Sequence, residues 1–212
     1  MAVITVLPHG DNSILVLPGA NSQVTPAYVQ QHLDLLEACD YVVFQLEIPL
    51  ETVVYAAKEA SRLGKKVILD PAPAVPGLPE ELLQSLYLIK PNETELSILT
   101  GRPHDPARLR RMPFPCSPWS EKRAGHLGRG GSYLLREDGT EARIPADSTV
   151  KVVDTTAAGD SYMGALAVAL SQGKDLEEAA RFASRVSDIV VSRPGAQTSI
   201  PSLEELEESA AQ

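Results

Sequence analysis

The chain has 212 residues, a formal net charge of −9 and two cysteines. This length suits one α/β domain with a sizeable core, and the acidic balance without a basic run argues against a nucleic-acid partner. Cys39 and Cys116 lie in no CxxC pattern and have no histidine at ligand spacing, which argues against a disulfide framework or a zinc site. Because the sequence has neither a signal-peptide pattern nor an apolar run of membrane-spanning length, we expect a cytoplasmic protein without a membrane partner.

The first half of the sequence predicts strands that alternate with helices. A hairpin is predicted at the start, with its second strand over residues 13–17, and Thr25 and Pro26 favour a helix that reaches about Glu37. Further strands are predicted over residues 41–45, 67–69 and 86–89, and helices over 50–63, 80–83 and 92–100. Gly64 and Gly101 stand where the neighbouring helices should stop. This alternation predicts a mostly parallel sheet covered by helices on both faces.

The second half contains one irregular segment. Residues 106–128 have clustered prolines and neither helical nor strand periodicity, so we expect no regular structure there. A hairpin is predicted over residues 133–144 around Asp138-Gly139, followed by helices over 161–171 and 176–191. The acidic end from Ser202 onward is predicted to be a frayed helix.

The stretch Asp154-Thr155-Thr156-Ala157-Ala158-Gly159-Asp160 carries the strongest chemical signal. It follows an apolar, strand-like approach over residues 150–153 and leads into a helix rich in small residues. Backbone N–H groups at such a helix N-terminus can hold a transferring phosphoryl group, and Asp160 beside them can accept a proton from an attacking hydroxyl. The alternative interpretation is a loop in which Asp160 only interacts favourably with the helix dipole.

Five segments, in chain order, resemble motifs of the ribokinase-like, or pfkB, carbohydrate kinases. They are residues 45–51 (QLEIPLE), 70–74 (DPAPA), 90–95 (KPNETE), 154–160 (DTTAAGD) and 192–199 (SRPGAQTS). The likeness runs from about residue 3 to 203 apart from residues 106–128. It implies a three-layer α/β/α sandwich with a mostly parallel central sheet. The domain would then be a partial kinase domain over residues 1–203, followed by a C-terminal tail over 204–212.

The resemblance also implies roles for single residues. Asp160 would be the catalytic base beside an anion hole formed by Ala157, Ala158 and Gly159, and the sugar pocket would contain Glu47, Val16 and Asp160. The nucleotide would contact a larger set of residues: Asn92, His126, Gly128, Gly131, Ala158, Gly159 and Ser184. Glu95 would bind Mg²⁺ through water, and a potassium ion would lie among Asp154, Thr156, Val190, Arg193, Gly195 and Ser199. For Asn92 and Glu95 a capped helix with an acidic first turn is an equally good interpretation, and both can hold together.

The implied reaction is the transfer of the ATP γ-phosphoryl group to the 5-hydroxyl of D-ribose in ribose catabolism. The resemblance implies Mg²⁺ and an activating K⁺ as cofactors and a homodimer as the assembly. Two alternatives remain open. One is another kinase of the same family, acting on fructose or ketodeoxygluconate, and the other is a catalytically inactive remnant that binds nucleotide.

The sequence departs from the family pattern in two places. Family members have a leading portion with Gly-Gly and Asn-x-Asp motifs, so residues 1–19 are interpreted as the remnant of a lid hairpin and the sheet is expected to be incomplete on its N-terminal side. In residues 106–128, His126 stands where the family has Thr. One permitted coding of residues 119–128, shifted by one base, reads Gly-Val-Lys-Asn-Val-Leu-Val-Thr-Leu-Gly, so we hypothesise a local reading-frame error. For the chain as written we therefore expect no ribose-dependent ATP consumption.

Overall fold

The computed structural model describes residues 1–6, 12–101, 122–126, 130–136 and 138–210. The chain divides into two compact units, one formed by residues 1–17 and 144–212 and the other by residues 18–143. Within the described part, no helix combines the length and the apolar character needed to cross a membrane.

The secondary structure follows the predicted alternation. The strands are β1 (Ala2–Val6), β2 (Asn12–Val16), β3 (Tyr41–Phe44), β4 (Lys66–Leu69), β5 (Leu88–Ile89), β6 (Lys122–His126), β7 (Ser132–Arg136) and β8 (Glu141–Ile144). The α-helices are α1 (Pro26–Gln30), α2 (Leu33–Glu37), α3 (Leu50–Arg62), α4 (Glu80–Gln84), α5 (Glu93–Thr100), α6 (Ala158–Ser171), α7 (Leu176–Val191) and α8 (Leu203–Ala210). Short 3-10 helices cover Gly19–Gln23 and Gln197–Ser199.

The unit of residues 18–143 is built around a parallel sheet in the order β3-β4-β5. Three of the four residues of β4 are fully buried, as expected for a strand covered on both faces. The apolar stripe of α3 packs against β4 in a core that contains Val53, Val54, Ala57, Ala60, Val67, Leu69, Leu82, Leu83, Leu86 and Ile89. This core fixes the carboxyl ends of three neighbouring strands, where the predicted motifs begin.

A second sheet in this unit has the order β6-β7-β8. β6 pairs antiparallel with β7, from Lys122↔Arg136 to His126↔Ser132. The expectation of no regular structure over residues 106–128 is therefore wrong for β6, because strand pairing uses backbone groups and does not require an alternating side-chain pattern. Residues 102–121 and 127–129 lie outside the described residues. The predicted turn at Asp138-Gly139 is confirmed, with φ 82° at Gly139.

The unit of residues 1–17 and 144–212 contains the antiparallel pair of β1 and β2, with register from Ala2↔Val16 to Val6↔Asn12. It also contains α6 and α7, which pack against each other. A capping box between Asp175 and Glu178 starts α7. The helix predicted from Ser202 onward is confirmed as α8, and its Leu206 is 6% exposed and packs with Val186 and Val190.

Three other predicted elements differ from the structure. The helix predicted from Thr25 to Glu37 divides into α1 and α2, because His32 lies outside the helical region with φ −126° and ψ 27°. The strand-like approach over residues 150–153 is not a strand, since the N–H groups of Val153 and Asp154 both donate to the Val191 carbonyl at the end of α7. α6 begins at Ala158, three residues before the predicted start at 161.

Candidate functional site

The turn before α6 has an unusual backbone. Ala157 has φ 62° and ψ 5°, and among the described non-glycine residues it alone has a positive φ. A non-glycine residue in this left-handed region costs about 1–2 kcal/mol. Backbone strain of this kind persists where the surrounding structure imposes it and is common at functional sites. The turn brings Ala158, Gly159 and Asp160 into the first three positions of α6.

The first turn of α6 has the properties of an anion site. The N–H of Ala158 donates only a long hydrogen bond of 3.3 Å to the Thr155 carbonyl. The first N–H groups of a helix have no acceptor within the helix and lie at the positive end of its dipole. Gly159 and Asp160 are both exposed, so an anion could approach the amides and the Asp160 carboxylate together. The anion hole and the base at this turn stay predictions.

A residue on α7 that the sequence did not single out supports this turn. The Ser187 hydroxyl donates a 3.1 Å hydrogen bond to the Ala158 carbonyl, and Ser187 is 6% exposed. It lies in the otherwise apolar buried stripe of α7 with Ala183, Val186 and Val190. A single serine in an apolar buried stripe is a signal in the sequence that could have predicted this contact, because a buried hydroxyl needs a hydrogen-bond partner.

Asp154 organises a second loop next to the turn. Its Oδ1 accepts the Thr156 N–H at 2.9 Å and its Oδ2 accepts the Gly195 N–H at 3.0 Å. Hydrogen bonds from Thr156 hold the pKa of Asp154 below its usual value, and the bond from the Thr156 side chain has a larger effect than the bond from its backbone. The hydrogen bond from Gly195 lowers the pKa by a smaller amount. Asp154 is therefore a buried, ionised carboxylate that joins two of the predicted potassium-binding residues.

The other predicted potassium ligands lie around the same loop. A Cβ at Gly195, which has φ 97°, would come within 2.5 Å of the Thr198 Oγ1, so only glycine suits this position. The fully buried Ser199 donates from Oγ to the Ala196 carbonyl at 2.6 Å, and the Val190 carbonyl accepts the Arg193 N–H at 3.2 Å. A carboxylate surrounded by hydroxyl and carbonyl oxygens fits a hard cation such as K⁺.

In the other unit, Asn92 and Glu95 form a reciprocal capping box at the start of α5. The Asn92 Oδ1 accepts the Glu95 N–H at 2.8 Å, while the Glu95 carboxylate accepts the Asn92 N–H and Nδ2, each at 2.7 Å. Burial raises the pKa of Glu95 above its usual value, against an opposing hydrogen bond from Asn92. The helix-cap interpretation is thus confirmed. A single carboxylate with spare lone pairs also fits Mg²⁺ held through water and nucleotide phosphates.

A buried ion pair precedes this box. The Lys90 Nζ lies 2.9 Å from the Asp70 Oδ2, and the two side chains are only 4% and 3% exposed. Neither residue has a role predicted from the sequence. Asp70 follows the predicted buried strand 67–69, and Lys90 follows the predicted buried strand 86–89. Opposite charges directly after two neighbouring strands are a signal in the sequence that could have predicted this ion pair.

The remaining predicted site residues are spread over several elements. Glu47 is exposed just after β3, Val16 is exposed in β2, and Ser184 is half-buried on α7, one turn before Ser187. Gly131 is buried just before β7. His126 ends β6, but its side chain and the whole of Gly128 lie outside the described residues.

Comparison with known proteins gives a consistent result. The model of the pfkB family carbohydrate kinases matches residues 1–203. The chain is 37% identical to a ribokinase of Schizosaccharomyces pombe over 99% of this chain and 67% of that protein. It is 39% identical to a ribokinase of Bacillus subtilis over 96% of this chain and 66% of that protein. The chain therefore spans about two thirds of the length of these curated relatives.

A solved structure agrees with both relatives. The Arabidopsis thaliana ribokinase complexed with ribose and ATP superposes with a TM-score of 0.84 at 32% identity, covering 98% of this chain and 67% of that one. The predicted α/β fold class is confirmed by this match. Together with the family match over nearly the whole chain, it establishes that this chain belongs to the pfkB family of carbohydrate kinases, which act on a sugar hydroxyl.

Proposed function

We propose that this chain carries the catalytic machinery for ATP-dependent phosphorylation of D-ribose at its 5-hydroxyl. The observation that carries the proposal is the left-handed turn at Ala157, which places two helix N-terminal amides next to Asp160. The ribokinase relatives and the ribose- and ATP-bound neighbour support ribose as acceptor and ATP as donor.

In the proposed reaction, the ribose 5-hydroxyl oxygen attacks the γ-phosphorus while the bond from that phosphorus to the β–γ bridging oxygen breaks. Asp160 accepts the hydroxyl proton, and ADP leaves with the electron pair of the broken bond. The amides of Ala158 and Gly159 hold the negative charge on the transferring group. Donors of this kind lower the barrier because they are oriented before the reaction begins.

Cations would assist at two places. When bound, Mg²⁺ neutralises charge on the nucleotide phosphates. Glu95 would orient a water molecule bound to Mg²⁺, and Asn92 would lie near the phosphates. Asp154, Thr156, Val190, Arg193, Gly195 and Ser199 would hold K⁺, whose role is to order the loop behind the anion hole.

The remaining assignments follow from the same proposal. Glu47 and Val16 would contact the sugar, and Ser184, His126, Gly128 and Gly131 would contact the nucleotide. The cytoplasmic location stays a prediction from the sequence, and the homodimer stays a prediction from the family resemblance.

The test uses two forms of the protein because the chain spans about two thirds of its curated relatives. One is the chain itself. The other, called the restored chain, has the leading segment of the Bacillus subtilis ribokinase before Met1 and the matching segment of that relative in place of residues 106–128. Each is incubated with Mg-ATP, K⁺ and one acceptor, and ADP release and the sugar phosphate are measured.

We expect the restored chain to form ribose 5-phosphate and to turn over ribose faster than 2-deoxyribose, fructose or ketodeoxygluconate. The chain itself should bind nucleotide without ribose-dependent ADP release. Faster turnover of fructose or ketodeoxygluconate would transfer the assignment to another kinase of this family. Nucleotide binding without any acceptor-dependent ADP release in the restored chain would favour the inactive alternative.

A further inference from the structure

The first residues after β4 and β5 are oppositely charged and in contact. The register of the two parallel strands pairs Leu69 with Ile89, so the residues that follow, Asp70 and Lys90, are neighbours. The Lys90 N–H donates to the Leu69 carbonyl at 2.9 Å, and its ammonium reaches the Asp70 carboxylate at 2.9 Å. Burial of both side chains makes this a fixed contact, unlike a surface ion pair.

On one side, the pair connects to the loop that carries Glu47. The Asp70 N–H donates to the Phe44 carbonyl and the Ala72 N–H donates to the Asp70 carbonyl, both at 2.8 Å. The Ala72 carbonyl in turn accepts the Leu46 N–H at 2.8 Å, one residue before Glu47. Asp70 is therefore held by the end of β3 through backbone hydrogen bonds.

On the other side, Lys90 lies two residues before Asn92. The Asn92–Glu95 capping box uses a carboxylate that is only 9% exposed. The charges of Asp70 and Lys90 both act on this carboxylate, in opposite directions. The buried ion pair at the two strand ends therefore lies within electrostatic range of the box at the start of α5.

A buried ion pair is weak evidence of a stabilising role. Removing one partner is strongly destabilising, yet replacing both partners by apolar side chains of similar size is often neutral or stabilising. Apolar packing at positions 70 and 90 could hold the strands together equally well. Apolar side chains could not supply the directional contact between Asp70 and Lys90, nor the positive charge of Lys90 that acts on the Glu95 carboxylate.

We propose that Asp70 and Lys90 are positioning residues that fix the Asn92–Glu95 box, and with it the site for a magnesium-bound nucleoside triphosphate. The assignment of the box to that ligand rests on the proposed function. The positioning of the box does not, and it can be measured without any ligand. Residues that orient a metal-binding group commonly change its metal affinity by about 10–100-fold when they are replaced.

The experiment compares Asp70→Leu, Lys90→Met and the double variant, each made in the 212-residue chain itself. Urea unfolding measures stability, and hydrogen exchange measures the order of the box through the Asn92 and Glu95 amides, which donate to Glu95 and Asn92 respectively. The Tyr87 amide, which donates to the Val67 carbonyl, reports on the β4–β5 pairing. The matched control is the exposed pair Lys58–Glu81, replaced by Met and Leu in the same way.

We expect both single variants to unfold at lower urea concentration and the double variant to regain a midpoint close to that of the unmodified chain. In the double variant the Asn92 and Glu95 amides should still exchange faster, while the Tyr87 amide stays protected. The Mg²⁺ concentration needed for half-maximal ATP binding should rise by about 10–100-fold. Asp70→Asn, which keeps the shape of the side chain, should also speed exchange at both box amides, and Lys90→Arg should leave them slow.

Unchanged exchange at Asn92 and Glu95 in both the double variant and Asp70→Asn would overturn the proposal, because the pair would then only join the strands. Equal acceleration in the Lys58–Glu81 control would overturn it as well. If the restored chain binds no Mg-ATP, the proposed function fails, while the exchange data still decide the positioning role.

Discussion

The hydroxyl of Ser187 donates a hydrogen bond of 3.1 Å to the carbonyl of Ala158. This contact joins the middle of α7 to the first turn of α6, where the predicted anion hole lies. Because Ser187 is buried, its hydroxyl and the Ala158 carbonyl satisfy each other away from water. The N-terminus of α6 is thus held by the body of its own unit as well as by its preceding loop.

Replacing Ser187 by Ala should lower the free energy of unfolding by about 1 kcal/mol, because one buried hydrogen bond is lost. It should also weaken nucleotide binding, since the first turn of α6 loses its support. Urea unfolding and titration with an ATP analogue check the two effects. Ser171→Ala is the control, because the exposed Ser171 only bonds the Val168 carbonyl of its own helix. Equal results for the two variants would remove the supporting role of Ser187.

Ala157→Gly should raise the free energy of unfolding by roughly 0.5–1 kcal/mol, because relief of the left-handed strain exceeds the added entropy of the unfolded chain. Ala167→Gly makes the same chemical change inside α6 and should instead lower it by about 1 kcal/mol. Thermal or urea unfolding measures both variants. Loss of stability at both positions would contradict the backbone argument at Ala157.

Asp160→Asn in the restored chain should reduce turnover by about 10²–10⁴-fold, because it removes the general base and nearly preserves the shape of the side chain. Nucleotide affinity should change little, so the reduction should be seen in kcat. Asp147→Asn, which removes an exposed acid of the same unit, is the control and should leave kcat unchanged. Near-normal turnover of Asp160→Asn would exclude Asp160 from the reaction.

Potassium should strengthen nucleotide binding and raise the unfolding midpoint relative to sodium at equal ionic strength, because the predicted ion orders the loop behind the anion hole. Asp154→Asn removes the buried charge and should abolish the difference between the two salts. Asp175→Asn, at the N-cap of α7, should keep that difference, since asparagine also caps helices. Equal behaviour of the unmodified chain in both salts would count against the potassium site.

Glu95→Gln should increase the Mg²⁺ concentration required for ATP binding, because an amide orients metal-bound water less well than a carboxylate. The helix cap should survive in part, since a glutamine side chain can still accept the Asn92 N–H. Magnesium titrations of nucleotide binding measure the effect, and Glu93→Gln, which changes a neighbouring acid outside the box, provides the control. A titration curve that both variants leave unchanged would contradict the role of Glu95.

Local patterns in the sequence were sufficient for much of the fold and for the chemical motif. Gly64 and Gly101 end their helices in the left-handed conformation, Thr25 caps α1, and the alternation of apolar runs with helices predicts the parallel sheet. The likeness of five short segments to the carbohydrate kinases was enough for the family, which the comparison over residues 1–203 confirms. These features depend on residues close together in the chain, so periodicity and motif spacing can reveal them.

Contacts between distant segments are evident only in the folded structure. The hydrogen bonds from Gly195 to Asp154 and from Ser187 to Ala158, and the ion pair of Lys90 with Asp70, each join residues at least 20 positions apart. The docking of α8 through Leu206 likewise depends on a surface that α7 supplies. The sequence can mark single residues, such as a serine in an apolar stripe or a charge after a strand, but it does not show their partners. The free energy of these contacts comes from burial and pairing that exist only once the segments meet.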